Sequence, residues 1–187
     1  MTHLTKRFKE IEKIFDGTKS YSVEEAVSII KKVPVTKFDQ TIDINIKLGV
    51  DPKQSDQMVR GTVMLPHGTG KKKIILVFCK GESVKFAREA GADYIGDLDL
   101  IEKISSGWID FDVAISTPEM MREVGKLGKI LGPRGLMPNP KTQTVTEDIK
   151  KAINDVRGGK VEFKMDKQAN VHVGAGKLSF DEQKLID

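Results

Sequence analysis

The sequence predicts an α/β protein of two domains, in which a segment of alternating strands and helices is inserted into a part built from both chain ends. Residues 73–79 and 113–116 are continuous apolar runs followed by helical patterns, as in a parallel sheet that is covered on both faces. Residues 41–48 and 161–165 alternate apolar and polar side chains, as in half-buried strands. These alternating runs flank the inserted segment, which indicates that the chain leaves one domain and returns to it.

The N-terminal part begins with a charged helix predicted over residues 6–15. Ser22 and Glu25 have the spacing of a capping box, which opens a second helix that Pro34 ends. Its apolar face is expected to contain Val23, Ala26, Val27 and Ile30.

Two strands follow this helix, over residues 41–48 and, less regularly, 60–65. Alternation predicts that the first strand is half-buried, with one set of side chains on its buried face, namely Ile42, Ile44, Ile46 and Leu48. Its opposite face meets water or a ligand and presents Asp43, Asn45 and Lys47.

The inserted segment is predicted to hold a buried strand at 73–79, a short strand at 94–95 and a second buried strand at 113–116. The helices between and after them are expected at 83–90, 98–104, 117–130 and 147–156. Thr117 and Thr146 are the expected hydroxyl caps of the last two helices.

The C-terminal part contains two alternating runs that a turn at 167–170 would join into a hairpin. Ser179 and Glu182 repeat the capping-box spacing and predict a further helix. Because only five residues follow this second box, we expect that the sequence lacks a C-terminal portion of the protein.

Two basic joints that contain glycine, residues 67–71 and 157–160, border the insertion. We therefore expect one discontinuous domain over 1–67 and 159–187 and an inserted domain over 68–158. The predicted hinge residues are Gly68, Gly70, Gly158 and Gly159.

Composition restricts the function classes. The 187 residues carry 31 basic and 27 acidic side chains, a net charge of +4, with one cysteine. No apolar stretch is long enough for a membrane span, and the N-terminus lacks the apolar core of a signal peptide. As the single cysteine, Cys79 cannot form an internal disulfide. Together these features predict a protein of the reducing cytoplasm. Acid-free basic windows at 57–81 and 124–146 permit a nucleic-acid partner, although solvated basic loops would look the same.

The search for an enzyme site finds only half of a phosphate-binding loop, at residues 68–71. Leu65 and Lys72 stand where the complete motif needs glycine and Ser or Thr. The three histidines are too scattered to predict a metal site or catalytic triad: His3, His67 and His172. We expect no metal and no cofactor; a nucleotide-dependent enzyme that uses the inserted segment remains the alternative.

A polyanion-binding surface is the stronger hypothesis. Lys37 and Phe38 stand at the entrance of the 41–48 strand, where an aromatic ring and an ammonium could meet a base or sugar and a phosphate. From spacing alone, however, a core residue is the favoured interpretation of Phe38. The predicted hairpin presents Lys164, Lys167 and His172 together with Asp166, Lys177 and the turn. A carboxylate among bases fits selective recognition, and a solvated face remains the alternative.

Residues 131–141 contain three prolines and two glycines among eleven residues. Such a composition excludes a helix and a central strand. It predicts a stiff, basic, exposed loop of the kind that commonly makes contacts.

Several segments together resemble the ribosomal protein L1 family in its bacterial form. The two most specific are LGPRGLMPNPK at 131–141 and VRGTVMLPHGTGK at 59–71. Further similarity lies in KFDQTIDINIKLGVDP at 37–52, EAGADYIG at 89–96 and GWIDFDVAISTPEMM at 107–121. The resemblance covers essentially the whole chain.

The resemblance implies a split β-α-β domain of α+β type from both chain ends and a Rossmann-like, three-layer α/β insertion without a nucleotide. It implies a monomeric, non-enzymatic protein that joins the ribosome. The implied partners are large-subunit rRNA of the mobile stalk beside the tRNA exit site, deacylated tRNA whose release it assists, and the mRNA of its own operon, which it represses. Carried over by position, the RNA-binding residues are Lys37, Phe38, Thr41, Lys164, Asp166, Lys167 and His172.

Two departures from the family pattern concern the termini. The N-terminal basic motif of the family is present only as His3-Leu4-Thr5-Lys6-Arg7. The family's last helix and strand, with an RNA-contacting loop, are absent after Asp187, which leads us to expect an incomplete RNA surface.

Overall fold

The computed structural model describes residues 5–34 and 36–187, apart from the side chain of Ser55, so His3 and Leu4 of the N-terminal basic run lie outside it. It is a mixed α/β chain with several sheets, as predicted. Its helices are α1 (Lys6–Ile14), α2 (Val23–Lys32), α3 (Ser83–Glu89), α4 (Leu98–Ser105), α5 (Met121–Val124), α6 (Gly128–Leu131), α7 (Ile149–Arg157) and α8 (Glu182–Ile186). Its strands are β1 (Thr41–Lys47), β2 (Arg60–Met64), β3 (Ile75–Phe78), β4 (Tyr94–Gly96), β5 (Val113–Ser116), β6 (Lys160–Lys164) and β7 (Asn170–Lys177). Short 3-10 helices span Ser55–Gln57, Gly125–Leu127 and Pro140–Thr142.

The central element of the 73–157 segment is β3, which pairs in parallel with β4 on one side and β5 on the other. Leu76 and Phe78 pack into a cluster with α4, α5 and α6. Ile75 and Val77 point to the opposite face and pack with α3 and α7. A continuous apolar run is thus a strand with both faces buried, as the sequence predicts.

The two ends of the chain are joined by antiparallel pairing. β1 pairs with β7, and β2 pairs with β6, over their whole lengths. The predicted hairpin forms only at its turn, where Met165 bridges Val171, because β6 and β7 continue into different sheets. Strands from before and after the parallel sheet therefore lie side by side, which brings residues more than 100 positions apart into contact.

The apolar face of β1 differs from the prediction. Ile44 and Ile46 are 50% and 49% exposed rather than buried. The small cluster of Met165, Ala169 and Val171 reaches only the Leu48 end of the strand, so the described elements leave the middle of this face open. On α2, Val23 is likewise exposed, and only Val27 is buried.

The predicted helix 117–130 is replaced by α5, a 3-10 turn and α6, and it begins only at Met121. Thr117 does not cap it. The Thr117 N–H donates to the Phe78 carbonyl at 3.1 Å, which holds the residue at the end of the sheet, and its buried hydroxyl has no partner among the described atoms.

Two further helices have N-cap residues other than the predicted ones. α7 begins at Ile149, because Asp148 rather than Thr146 accepts the capping hydrogen bond, from the Lys151 N–H at 3.1 Å. Ser179 does not cap α8, whose N-cap is Asp181. The Ser179 hydroxyl instead donates to Asp39 Oδ2 at 2.8 Å.

The two joints of the chain touch each other. The Leu65 N–H donates to the Gly159 carbonyl at 3.2 Å. Gly68, Gly70 and Gly159 have positive φ angles of 64°, 69° and 104°, whereas Gly158 has an ordinary φ of −70°. A Cβ on Gly159 would lie 2.6 Å from the Gly68 Cα and 2.9 Å from the Leu65 carbonyl oxygen, so the backbones meet at a distance that only glycine allows.

Candidate nucleic-acid interface

Phe38 lies on the surface at the entrance to β1, with 68% of the residue exposed. Its carbonyl accepts a hydrogen bond from the Thr36 hydroxyl at 2.8 Å, which fixes the bend before the strand. This exposure excludes the alternative that Phe38 is a core residue. An exposed aromatic ring next to an exposed lysine, Lys37, offers a flat apolar surface beside a positive charge.

The segment that carries Phe38 is held by the C-terminal part of the chain. Asp39 accepts from the Ser179 N–H at 3.1 Å and from its hydroxyl at 2.8 Å. The Leu178 N–H donates to the Gln40 carbonyl at 2.9 Å. Lys31 reaches across from α2 and donates to the Leu178 carbonyl at 2.6 Å.

Beside these contacts lies an open surface cavity of about 490 Å³, which Phe38 lines. Its other lining residues are Lys31, Thr36, Lys37, Asp39, Leu178 and Ser179. We call this cavity and its lining the Phe38 platform. Because its parts come from both ends of the chain, the platform exists only when the two ends have folded together.

Thr41 begins the polar face of the β1–β7 sheet. It pairs with Lys177, and the Lys177 ammonium donates to the Thr41 hydroxyl at 2.9 Å. Further along the same face, His172 Nδ1 lies 2.6 Å from Asn45 Oδ1. Lys177 and Asn45 therefore both belong to the candidate surface. The sequence places Lys177 on the hairpin and Asn45 on the polar face of the strand, although the resemblance assigns an RNA contact to neither.

Asp166 shapes the turn of the hairpin. Its Oδ1 accepts from the Gln168 and Asn170 N–H groups, both at 2.8 Å. Its Oδ2 lies 3.4 Å from His172 Nε2. The carboxylate is thus engaged within the hairpin, and we expect it to position His172 and the turn rather than to offer a free acceptor.

The same hydrogen bonds act on the ionisation of Asp166. The Asn170 N–H contributes most, followed among the stabilising contacts by the Gln168 N–H and the Asn170 and His172 side chains. Against an opposing effect of burial, these contacts lower the pKa of Asp166 from 3.8 to about 2. Hydrogen bonds to a carboxylate favour its charged form.

We expect the carboxyl carbon of Asp166 to titrate with a midpoint near pH 2 in the folded protein, measured by NMR. Because the pKa is lower in the folded chain than the reference value of 3.8, the ionised group stabilises the fold above pH 3.8. That contribution declines as the pH falls from 3.8 towards 2. A midpoint near 3.8 would show that the turn does not form.

Lys164 and Lys167 are both exposed. Lys164 ends β6, where it pairs with Arg60 of β2, and Lys167 lies in the hairpin turn. The predicted residues therefore fall into two groups, the Phe38 platform with Thr41 and the hairpin with His172. His172 pairs with Asn45, four residues along β1 from Thr41, a span of about 13 Å.

The features considered for an enzyme take other roles. Lys71 of the partial phosphate loop forms an ion pair with Asp112 at 2.6 Å, and the chain continues into a strand rather than a helix. Cys79 is buried, and burial, followed by the nearby Asp97, raises the pKa of its thiol, which disfavours a reactive thiolate. In residues 5–34 and 36–187 there is no cluster of three or more potential metal ligands. None of the helices described is long and apolar enough to cross a membrane.

Comparison with known proteins gives consistent results. Residues 30–187 match the model of the ribosomal protein L1p/L10e family. The large ribosomal subunit protein uL1 of Protochlamydia amoebophila (strain UWE25) is 59% identical over 181 residues, which cover 97% of this chain and 77% of that protein. The proteins of the same name from Chlamydia pneumoniae and Chlamydia caviae are 59% and 58% identical over 185 residues, covering 99% of this chain and 80% of each relative.

Proposed function

Because the chain belongs to the ribosomal protein L1p/L10e family, we propose that it binds the rRNA of the mobile stalk, beside the tRNA exit site of the large ribosomal subunit. As a family member it is a structural constituent of that subunit and not an enzyme. A ribosomal component of this kind acts in the cytoplasm, the location that the sequence predicts.

The observation that carries this proposal is the exposed Phe38 on a platform built by both chain ends. In sequence-specific RNA recognition, unstacked bases commonly stack on aromatic side chains while ammonium groups meet phosphates. Phe38, Lys37 and Thr41 provide such a combination at one end of the β1–β7 sheet. Lys164, Lys167 and His172, with Asp166 holding the turn, provide the contacts at the other end.

The domain arrangement follows as part of the same proposal. Residues 1–67 and 159–187 form the α+β domain with the split β-α-β order, and residues 68–158 form the Rossmann-like, three-layer insertion. Support comes from the pairing of β1 with β7 and β2 with β6 and from the separate parallel sheet. The glycine joints, Gly68 and Gly70 with Gly158 and Gly159, act as the hinge between the domains.

Two further activities belong to this proposal. The inserted domain moves with the stalk and assists the release of deacylated tRNA from the exit site.

The protein also represses translation of its own operon, since an mRNA that folds like the stalk rRNA would present the same phosphates and bases to the Phe38 platform. Competition between rRNA and operon mRNA for the purified protein tests this repression, and simultaneous binding of both would contradict it.

We expect Lys164→Ala to lower the slope of log K against log salt concentration by about one unit for a transcript of the stalk rRNA. The reason is that removing one phosphate contact releases one counterion fewer. Filter binding from 50 to 200 mM salt measures the slope. Lys85→Ala, an equal change of charge on the exposed face of α3, is the control and should leave the slope unchanged; equal slopes for the two variants would argue against a contact at Lys164.

A further inference from the structure

A second basic surface lies where the loop of residues 131–141 faces the β2–β6 strands. Two adjoining cavities of about 390 and 230 Å³ open there, and both are lined by Arg60, Asn139 and Lys164. Lys141 lines the smaller one. We call this space the outer cleft. One wall comes from the 68–158 segment and the other from strands of the chain ends, so any ligand in it touches both parts of the protein.

The charges of the outer cleft are unbalanced. Glu162 is the only acid among its lining residues, and Arg60 engages it, with Nε 2.8 Å from Oε1. Lys141 and Lys164 form no ion pair with any described residue. Two unpaired ammonium groups that converge on one opening favour an anionic partner.

Deeper between the two walls, at the inner end of the space, the lysine ammonium groups already form hydrogen bonds or ion pairs within the protein. The Lys73 ammonium donates to the Lys160 carbonyl at 2.7 Å. The Lys160 ammonium donates to Gln143 Oε1 at 2.6 Å, and Lys71 pairs with Asp112. The two hydrogen bonds that involve Lys160 connect the walls, whereas the Lys71 ion pair stays within the 68–158 segment. These ammonium groups are therefore already engaged, unlike those of the outer cleft.

The loop wall is held in place before any ligand arrives. Leu136 and Met137 pack against the hydrophobic cluster around Phe78. The Asn139 N–H donates to the Thr144 hydroxyl at 2.8 Å, and Asn139 Oδ1 accepts from the Lys141 N–H at 2.8 Å. Anchoring on both sides means that little loop entropy is lost when Lys141 meets a ligand, which favours binding.

The opposite wall adds an apolar surface. Met58 and Val59, which precede β2, are 57% and 37% exposed and line the smaller cavity. Apolar methionine and valine side chains next to ammonium groups suit the alternation of sugar and phosphate along a nucleic-acid strand. A small free anion would use the lysines but would leave these apolar atoms in water.

We propose that the outer cleft binds a run of RNA phosphodiester backbone through Lys141 and Lys164, as a second contact of the RNA held at the Phe38 platform. This inference rests on the proposed function. A single RNA that occupies both places would hold the 68–158 segment against the chain ends, so binding of RNA would restrict movement at the glycine joints.

The test compares three single variants, Lys141→Ala, Lys85→Ala and Phe38→Ala, for binding to a transcript of the stalk rRNA at 100 mM salt. A lost phosphate contact should weaken the binding of Lys141→Ala by about five- to eightfold and lower its salt slope by about 0.7–0.9. Lys85→Ala has the same change of charge outside the cleft and should bind as the wild type does. Thermal unfolding of each variant confirms that the fold is intact.

The outcomes separate the two proposals. If Phe38→Ala binds weakly while Lys141→Ala binds as the wild type does, the outer cleft is not an RNA contact and the proposed function stands. If Lys85→Ala loses as much affinity as Lys141→Ala, the effect is one of net charge and the cleft proposal is overturned. If Lys141→Ala alone is weakened, the cleft is supported and the Phe38 platform is not.

Discussion

Gly159→Ala is expected to lower the free energy of unfolding by about 2–4 kcal/mol. Two costs combine at this position. The φ angle of 104° is strained for any residue with a Cβ, and the new Cβ would lie 2.6 Å from the Gly68 Cα. Because the obstacle is backbone, one joint must move away from the other. Urea or thermal unfolding measures the change.

Gly107 provides a matched control for this substitution. Its φ angle is also 104°, but a Cβ there would meet nothing within 4 Å. Gly107→Ala should therefore show the conformational strain alone, about 1–2 kcal/mol. Equal losses of stability in the two variants would mean that the contact between the joints contributes nothing.

Phe38→Ala is expected to weaken binding to the stalk rRNA by about 1–3 kcal/mol, the range for losing a stacked base. The ring is mostly exposed, so its removal should leave the free energy of unfolding within about 0.5 kcal/mol of the wild type. Filter binding or fluorescence anisotropy measures the affinity. Phe38→Leu keeps an apolar side chain and should recover only part of the loss, since the planar ring is absent.

Phe86 is the control for a general effect of exposed phenylalanine. It is 46% exposed on α3, in the segment that carries the parallel sheet. Phe86→Ala should bind the transcript as the wild type does. An unchanged affinity for Phe38→Ala would remove the main support of the proposed function, because no other aromatic ring belongs to the Phe38 platform as described.

Local patterns predicted the elements that local forces determine. The capping box of Ser22 and Glu25 is present as predicted, because both residues lie at the start of α2. The buried run at β3 is also present, although the helices that cover it come from elsewhere in the sequence, because an uninterrupted apolar run favours a strand covered on both faces. Ser179 has the same capping spacing, yet its hydroxyl binds Asp39, 140 positions away. A distant partner of this kind is invisible to a pattern that compares residues three apart.

In the candidate site, too, distant contacts determine features that local patterns do not predict. Asp39 and Gln40, which follow Phe38, are held by Ser179 and Leu178 from the other end of the chain. Spacing alone carries no information on such partners, so it could not separate a surface ring from a core ring. Asp166 was predicted as a residue of the surface, but its hydrogen bonds to the turn depend on the conformation of residues 166–170. The β1 isoleucines show the opposite error, since alternation predicts a buried face but does not say what covers it.

The contact between Gly68 and Gly159 also has a consequence for the architecture of the gene. The chain enters the 69–158 stretch after Gly68 and leaves it before Gly159, and the backbones of these two glycines are in contact. A deletion that fused residue 68 to residue 159 would therefore need almost no spacer to reconnect β2 with β6. The same closeness allows the stretch to be lost, acquired or replaced in a single recombination event without pulling the remaining strands out of register.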